Sequence, residues 1–194
     1  MHVDHVIYAT ADLDGAATRL ETELGVSAVR GGRHEGLGTH NRIVPLGGGY
    51  LELLAVCDRE EAASSAIAAM WQARVEQEAE GLMGWAVAVD DVEPVAARLG
   101  TQVTTITREG LTAQLTGLAE SLRQPFLPFF IARDPGVPDP GAAGDAGGIT
   151  WVEVAGDAGR LERWLGGAEL PVRVSGGEAG VRTVGIGDRE LRTP

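Results

Sequence analysis

Apolar and polar positions along the chain form one pattern that occurs three times. In each copy, an apolar run of strand length is followed by an aspartate and then by residues with helical spacing that end at Leu or Leu-Gly. Such an aspartate can cap the first turn of a helix, and glycine commonly ends one. The three copies are Val6–Thr10 with Asp12, Trp85–Val89 with Asp91, and Trp151–Ala155 with Asp157. The pattern therefore predicts three strand–helix units.

Short β-rich runs follow each predicted helix and are separated by glycine-rich turns. In chain order they are Ser27–Arg33, Asn41–Leu46, Tyr50–Val56, Gln102–Thr107, Leu111–Gly117, Phe126–Ala132, Val172–Ser175, Val181–Gly187 and Glu190 with Leu191. The third set is shorter than the other two. We therefore predict an α+β fold with two paired βαβββ modules and a truncated third βα unit at the C-terminus that closes one edge.

The linker between the two modules has the signature of a helix. Asp58 and Glu61 have the spacing of a capping box, and Ile67, Met70 and Trp71 begin an apolar stripe at helical spacing. The predicted organisation is module 1 at 1–57, a linker helix at 58–80, module 2 at 81–133, a Pro/Gly-rich loop at 134–148, and the truncated βα(ββ) unit at 149–194.

Charge and composition exclude several classes of function. The chain has 194 residues and a net charge of −12, so no basic surface is available for nucleic acid or an anionic membrane. All 16 basic residues are arginine, which excludes Schiff-base chemistry and the lysine of a phosphate-binding loop. The single cysteine, Cys57, excludes an intrachain disulfide and a cysteine-based zinc site, and its apolar context predicts a core position. No signal or membrane segment is recognisable, so we expect a cytoplasmic protein.

Histidines and one glutamate are the first candidates for chemistry. All four histidines lie within the first forty residues, and His5 stands in an apolar strand. Glu52 lies between leucines in another predicted strand. A carboxylate there either faces water or is buried against a partner such as an imidazole or a metal, because burying it alone is costly. The residues leave both alternatives open.

A glycine-rich segment, 31–41, is the second candidate. It contains Arg33, His34, Thr39 and Asn41, whose donors could surround a ligand. It can equally be a solvated hairpin whose glycines serve the turn.

Four blocks of sequence resemble the glyoxalase-like branch of the vicinal oxygen chelate superfamily, over about residues 1–166. The blocks are Val3–Thr10, 31–34 with 38–41, Gly49–Leu53 and Pro128–Ile131. The superfamily includes glyoxalase I, extradiol dioxygenases, methylmalonyl-CoA epimerase and bleomycin-resistance proteins. The resemblance implies paired βαβββ modules whose curved mixed sheet forms a cup around a site.

The resemblance also implies a metal centre with His5 and Glu52 as ligands. A divalent Zn, Ni, Mn, Co or Fe ion would polarise substrate oxygens there, and no organic cofactor is expected. The second module departs from the family pattern, because Gly84 and the 130–132 stretch occupy the corresponding positions. His34 or His40 would have to complete the ligand set. Without a metal, Glu52 could act as a general base beside His5.

Two functions follow from this resemblance. One is a metal-dependent lyase, isomerase or dioxygenase-type enzyme that uses His5 and Glu52 as catalytic residues. The other is a metal-free protein that binds or sequesters an antibiotic-like molecule, with Arg33, His34, Thr39 and Asn41 at the rim. In either case we expect a small-molecule ligand and a monomer or homodimer.

Overall fold

The computed structural model describes residues 1–78, 80–108, 111–134 and 136–193; residues 79, 109, 110, 135 and 194, in the predicted linker, second module, loop and third unit, lie outside these ranges. The first module contains β1 (His2–Thr10), α1 (Leu13–Leu24), β2 (Val29–His34), β3 (Thr39–Pro45) and β4 (Tyr50–Val56). The linker contains α2 (Arg59–Ala62) and α3 (Ala66–Glu78). The second module contains β5 (Glu80–Ala88), α4 (Glu93–Leu99), β6 (Val103–Arg108), β7 (Leu111–Thr116), α5 (Leu118–Arg123) and β8 (Phe129–Arg133). The C-terminal part contains β9 (Ile149–Ala155), α6 (Ala158–Leu165), β10 (Val172–Ser175), β11 (Gly180–Ile186) and β12 (Arg189–Arg192).

The aspartates of the repeated pattern act at the helix starts. The side chains of Asp12 and Asp157 cap α1 and α6 by accepting hydrogen bonds from backbone N–H groups. Asp91 lies one position earlier relative to α4, and its side chain accepts from the N–H of Glu93. All three helices end at glycines with φ of 64–68°, namely Gly25, Gly100 and Gly166. The helix boundaries are therefore set by local chemistry that the sequence shows directly.

The two modules form one mixed sheet with the order β2-β3-β4-β1-β5-β8-β7-β6. β1 pairs with β4 in parallel, β5 pairs with β8 in parallel, and the antiparallel pair β1–β5 joins the modules. The sheet is strongly curled into a half-barrel. Its two edges approach each other, and the N–H of Glu35 donates to the carbonyl oxygen of Thr107 at 3.4 Å. This confirms the predicted α+β fold of paired modules with a cupped sheet.

The C-terminal unit forms a second sheet of its own, with the order β10-β9-β11-β12. Here β10 pairs directly with β9 in parallel, unlike β2, which is separated from β1 by β3 and β4. Apolar residues of β9 and β11 share a core with the outer face of the large sheet. The unit therefore covers a face of the large sheet, whereas the sequence predicted that it would close an edge.

Strand alternation assigns side chains to two faces of the large sheet. On β1, Val6 and Tyr8 belong to the core shared with the second sheet, while Ile7 and Ala9 face the opposite side. That inner face is partly covered by α3 and α5, which contribute Trp71 and Leu122 to its apolar cluster. The cup described below opens on this inner face.

Three local features differ from the sequence prediction. Helix α5 follows β7 directly and was not predicted, and β8 begins three residues later than expected because Phe126 and Leu127 pack in the turn before it. Cys57 is exposed instead of lying in the core. No helix in the described ranges is long and apolar enough to cross a membrane.

The Pro/Gly-rich loop packs closely against the β3–β4 turn. The N–H of Gly47 donates to the carbonyl oxygen of Gly141, and the N–H of Gly148 donates to that of Leu46, both at 2.8 Å. A Cβ on Gly141 would lie 2.3 Å from the carbonyl oxygen of Gly49, so a glycine is required for this approach. The loop thereby reaches the rim of the cup.

Candidate functional site

A cavity of about 670 Å³, measured out to its open mouth, lies on the inner face of the large sheet. Its apolar walls include Leu37, Trp71, Leu115, Phe129 and Ile131. Its polar floor is formed by His5, His34, Tyr50, Glu52 and Arg133. An apolar cleft with a few convergent polar groups is the usual form of a small-molecule site.

His5 and Glu52 meet because β1 and β4 are parallel neighbours. In the register of this pair His5 lies opposite Tyr50 and Ile7 lies opposite Glu52, so that His5, Tyr50 and Glu52 share the inner face. His5 Nε2 lies 3.4 Å from Glu52 Oε2, and the two side chains are only 3% and 8% exposed. The structure therefore brings together the two residues that the sequence singled out, and it buries the carboxylate.

Asp4 and Arg133 belong to the same cluster, and the sequence analysis missed both. Arg133 donates two hydrogen bonds to the Asp4 carboxylate, at 2.6 and 2.7 Å, and a third to the Tyr50 hydroxyl at 3.0 Å. His5 Nδ1 lies 2.6 Å from Asp4 Oδ2, the oxygen that also accepts a hydrogen bond from Arg133 Nη2. A register shift between β1 and β5 at Asp4 interrupts the alternation at this point.

The charge of Asp4 fixes the orientation of the His5 ring. Burial by itself would raise the pKa of Asp4, but hydrogen bonds from Arg133 and His5, together with their charges, hold it well below its usual value. An ionised carboxylate accepts the hydrogen bond, so Nδ1 carries the proton and Nε2 of a neutral ring has a lone pair. Nε2 is buried and has no hydrogen-bond partner among the residues that the structure describes.

His34, Thr39 and Asn41 surround Glu52 from the other side. Asn41 Nδ2 donates to Glu52 Oε1 at 2.5 Å, and His34 Nε2 lies 3.4 Å from the same oxygen. Thr39 Oγ1 lies 2.9 Å from His34 Nδ1. Asn41 is itself held by the N–H of Gly32, and a Cβ on Gly31 would lie 1.9 Å from Asn41 Oδ1. The glycine pair therefore makes room for the Asn41 amide.

Arg33 and His40 do not reach the cavity. Arg33 is half exposed and forms ion pairs with Asp58 and Glu61 of the linker. His40 lies on the face of β3 opposite to Thr39 and Asn41, as strand alternation requires. Burial and the nearby charge of Arg33 lower the pKa of His40. The structure thus separates these two residues from the other predicted site residues.

The described residues do not fit the metal centre that the resemblance implies. His5 and Glu52 supply two donors, while Asn41 and Thr39 lie against the two ring nitrogens of His34. Within the described ranges, no group of three or more His, Cys, Asp or Glu side chains is arranged to hold a metal ion. Two protein ligands are fewer than metal sites normally use. We therefore derive no step through a metal.

The curled sheet of paired modules and its inner cup define a protein of the vicinal oxygen chelate class. A family model described as a glyoxalase-like domain matches residues 3–170. The chain belongs to this glyoxalase-like domain family.

Solved structures share the fold at low sequence identity. A hypothetical protein from Staphylococcus aureus has a TM-score of 0.73 at 17% identity, over 94% of this chain and 89% of that one. A Streptomyces coelicolor methylmalonyl-CoA epimerase in complex with 2-nitronate-propionyl-CoA has a TM-score of 0.52 at 17% identity, over 70% of this chain and 96% of that one. The methylmalonyl-CoA epimerase from Mycobacterium tuberculosis has a TM-score of 0.50 at 22% identity, over 73% of this chain and 92% of that one. A comparison with curated sequences found no match.

Proposed function

We propose that the cup binds a small organic molecule and that His5 and Glu52 contact its polar group. The observation that carries this proposal is a pair of buried groups, 3.4 Å apart, at the floor of an apolar cavity: the Glu52 carboxylate and an imidazole nitrogen of His5 that has no hydrogen-bond partner among the described residues. Buried polar atoms without partners are rare in folded proteins, and a ligand hydroxyl could donate to either group. This proposal agrees with the metal-free binding alternative from the sequence.

The hydroxyl contribution can be measured with two matched probes, 4-ethylphenol and ethylbenzene. We expect 4-ethylphenol to bind more tightly, because its hydroxyl group donates to the Glu52 carboxylate. In Glu52→Gln the acceptor loses its charge, so the ratio of the affinity for 4-ethylphenol to that for ethylbenzene should fall about tenfold. Calorimetric titration of both probes into both proteins measures it.

His40→Gln is the matched control, because this imidazole lies on the opposite face of β3 from the Glu52 cluster. It should leave the affinity for both probes unchanged. Equal binding of 4-ethylphenol to the unsubstituted protein and to Glu52→Gln would refute the proposal, as would the absence of binding by either probe.

Catalysis stays a prediction, and the Asp4–His5 hydrogen bond is the feature that favours it. With the proton fixed on Nδ1, His5 Nε2 can accept a proton from a bound ligand. Incubation of 4-ethylphenol with the protein in D2O, followed by proton NMR, tests for exchange at carbon. Exchange that is lost in His5→Phe would establish proton transfer, whereas unchanged spectra would indicate a protein that binds this probe without exchanging its protons.

A further inference from the structure

The indole N–H of Trp71 is unusual among the buried tryptophans. Trp71 is 3% exposed, and its Nε1 atom is buried with no hydrogen-bond acceptor within the described ranges. The indole N–H groups of Trp85 and Trp164 instead donate to the carbonyl oxygens of Phe126 and Pro128, at 3.2 and 2.8 Å. A buried donor is costly when it has no partner, so a donor that finds no acceptor in the described part of the chain points to a ligand.

Trp71 also lines the cup, although its spacing predicted only a core position on the linker helix. Its ring lies 6.4 Å from the ring of Phe129, which in turn lies 5.5 Å from the ring of His5. Two polar atoms without a hydrogen-bond partner among the described residues, the Trp71 donor and His5 Nε2, therefore belong to rings that both lie near Phe129 in the cavity wall.

The charges of the cup disfavour an anionic ligand. Of the described residues that line the cavity, Arg133 is the single cation, and both of its terminal nitrogens donate to Asp4. The carboxylates of Asp4 and Glu52 outnumber this guanidinium. An anion entering the cup would lose its hydration without gaining an unmatched cation.

We infer that the cup selects an uncharged aromatic molecule that carries a carbonyl oxygen, and that the Trp71 indole N–H donates a hydrogen bond to this oxygen. The inference rests on the proposed binding function and adds the class of ligand to it. Trp71 is then a residue that determines specificity, while the hydroxyl end of the ligand lies at His5 and Glu52.

Three phenols that differ at one group test the inference. They are 4-hydroxyacetophenone, 4-ethylphenol, which lacks the carbonyl oxygen, and 4-hydroxybenzoate, which is an anion. We expect 4-hydroxyacetophenone to bind the unsubstituted protein more tightly than the other two. In Trp71→Phe the ratio of the affinity for 4-hydroxyacetophenone to that for 4-ethylphenol should fall about fivefold, which is the usual net effect of one hydrogen bond.

A spectroscopic readout on the unsubstituted protein does not depend on the folding of a variant. The four tryptophans give four indole N–H resonances in a ¹⁵N-labelled sample, and contacts to Phe129 protons assign that of Trp71. We expect 4-hydroxyacetophenone to shift this resonance downfield and 4-ethylphenol to leave it nearly unchanged. Trp151→Phe, in the second sheet outside the cup, is the control that should preserve the affinity ratio.

The outcomes separate this inference from the function on which it rests. An unchanged affinity ratio in Trp71→Phe or an unshifted indole resonance would overturn the role of Trp71, and 4-hydroxybenzoate binding as tightly as the ketone would overturn the selection of an uncharged ligand. The proposed function still holds after any of those results if the tighter binding of 4-ethylphenol than of ethylbenzene depends on Glu52. If it does not depend on Glu52, the proposed function fails, whatever Trp71→Phe shows.

Discussion

The pair formed by Asp4 and Arg133 joins β1 to β8 and can be tested by the substitution Asp4→Asn. Asparagine keeps the shape of the side chain but removes its charge, while the Arg133 side chain remains only 17% exposed. Removing one partner of a buried pair leaves an uncompensated charge, so we expect a loss of about 3 kcal/mol in the free energy of unfolding. For a chain of this length that corresponds to a decrease of about 6–12 °C in Tm.

The pH dependence of this loss has a defined sign. The pKa of Asp4 is lowered in the folded state, so its contribution is present above the pKa of an unfolded aspartate and is lost as the pH falls towards the folded value. The stability gap between the two proteins should therefore be full at pH 6–7 and narrow below about pH 4. Urea unfolding followed by tryptophan fluorescence at several pH values measures this gap.

Asp14→Asn is the matched control, because Asp14 is 79% exposed in its pair with Arg42. It should cost less than about 1 kcal/mol. A loss in Asp4→Asn no larger than in this control, or a gap that is constant between pH 7 and pH 3, would refute the reasoning.

Three further predictions concern the site and the core. Gly31→Ala places a Cβ against Asn41 and should lower stability by about 2 kcal/mol and weaken 4-ethylphenol binding, which urea unfolding and calorimetry measure. Dialysis against EDTA should leave 4-ethylphenol affinity unchanged; a loss restored by zinc or manganese would show that a metal takes part. Burial and the nearby Glu80 raise the pKa of Tyr8 to about 12, so Tyr8 should ionise late in an absorbance titration. The late phase should disappear in Tyr8→Phe, and that variant should lose less stability than the unsubstituted protein as the pH rises above 10.

Much of the fold could be predicted because its signals are local. The aspartate that starts a helix and the glycine that ends it lie within one helix length of each other, and they recur at Asp12 and Asp157 with little change. The proximity of His5 and Glu52 could also be predicted. Both lie in apolar strands, and the family resemblance implies that these two strands contribute to the same site. The strand order of the second sheet could not be predicted from the sequence, because the choice of pairing partners depends on contacts throughout the core.

The remaining site residues could not be predicted, for physical reasons. Asp4 lies at an irregularity of β1, where simple alternation fails, and its partner Arg133 is 129 residues away. His34 and His40 look equivalent in the sequence, but they lie on different strands of a hairpin and face opposite sides. Trp71 fits a core stripe equally well, and only its missing acceptor distinguishes it.

The approach of β2 to β6 has a consequence for solubility. Open sheet borders can recruit strands from other molecules and so begin fibrous aggregation. Here the two outermost strands of the large sheet shield each other through the contact between Glu35 and Thr107. The small sheet ends in four-residue strands that carry charges such as Arg173 and Glu190. Mutual shielding and short, charged borders together should keep this β-rich chain from polymerising.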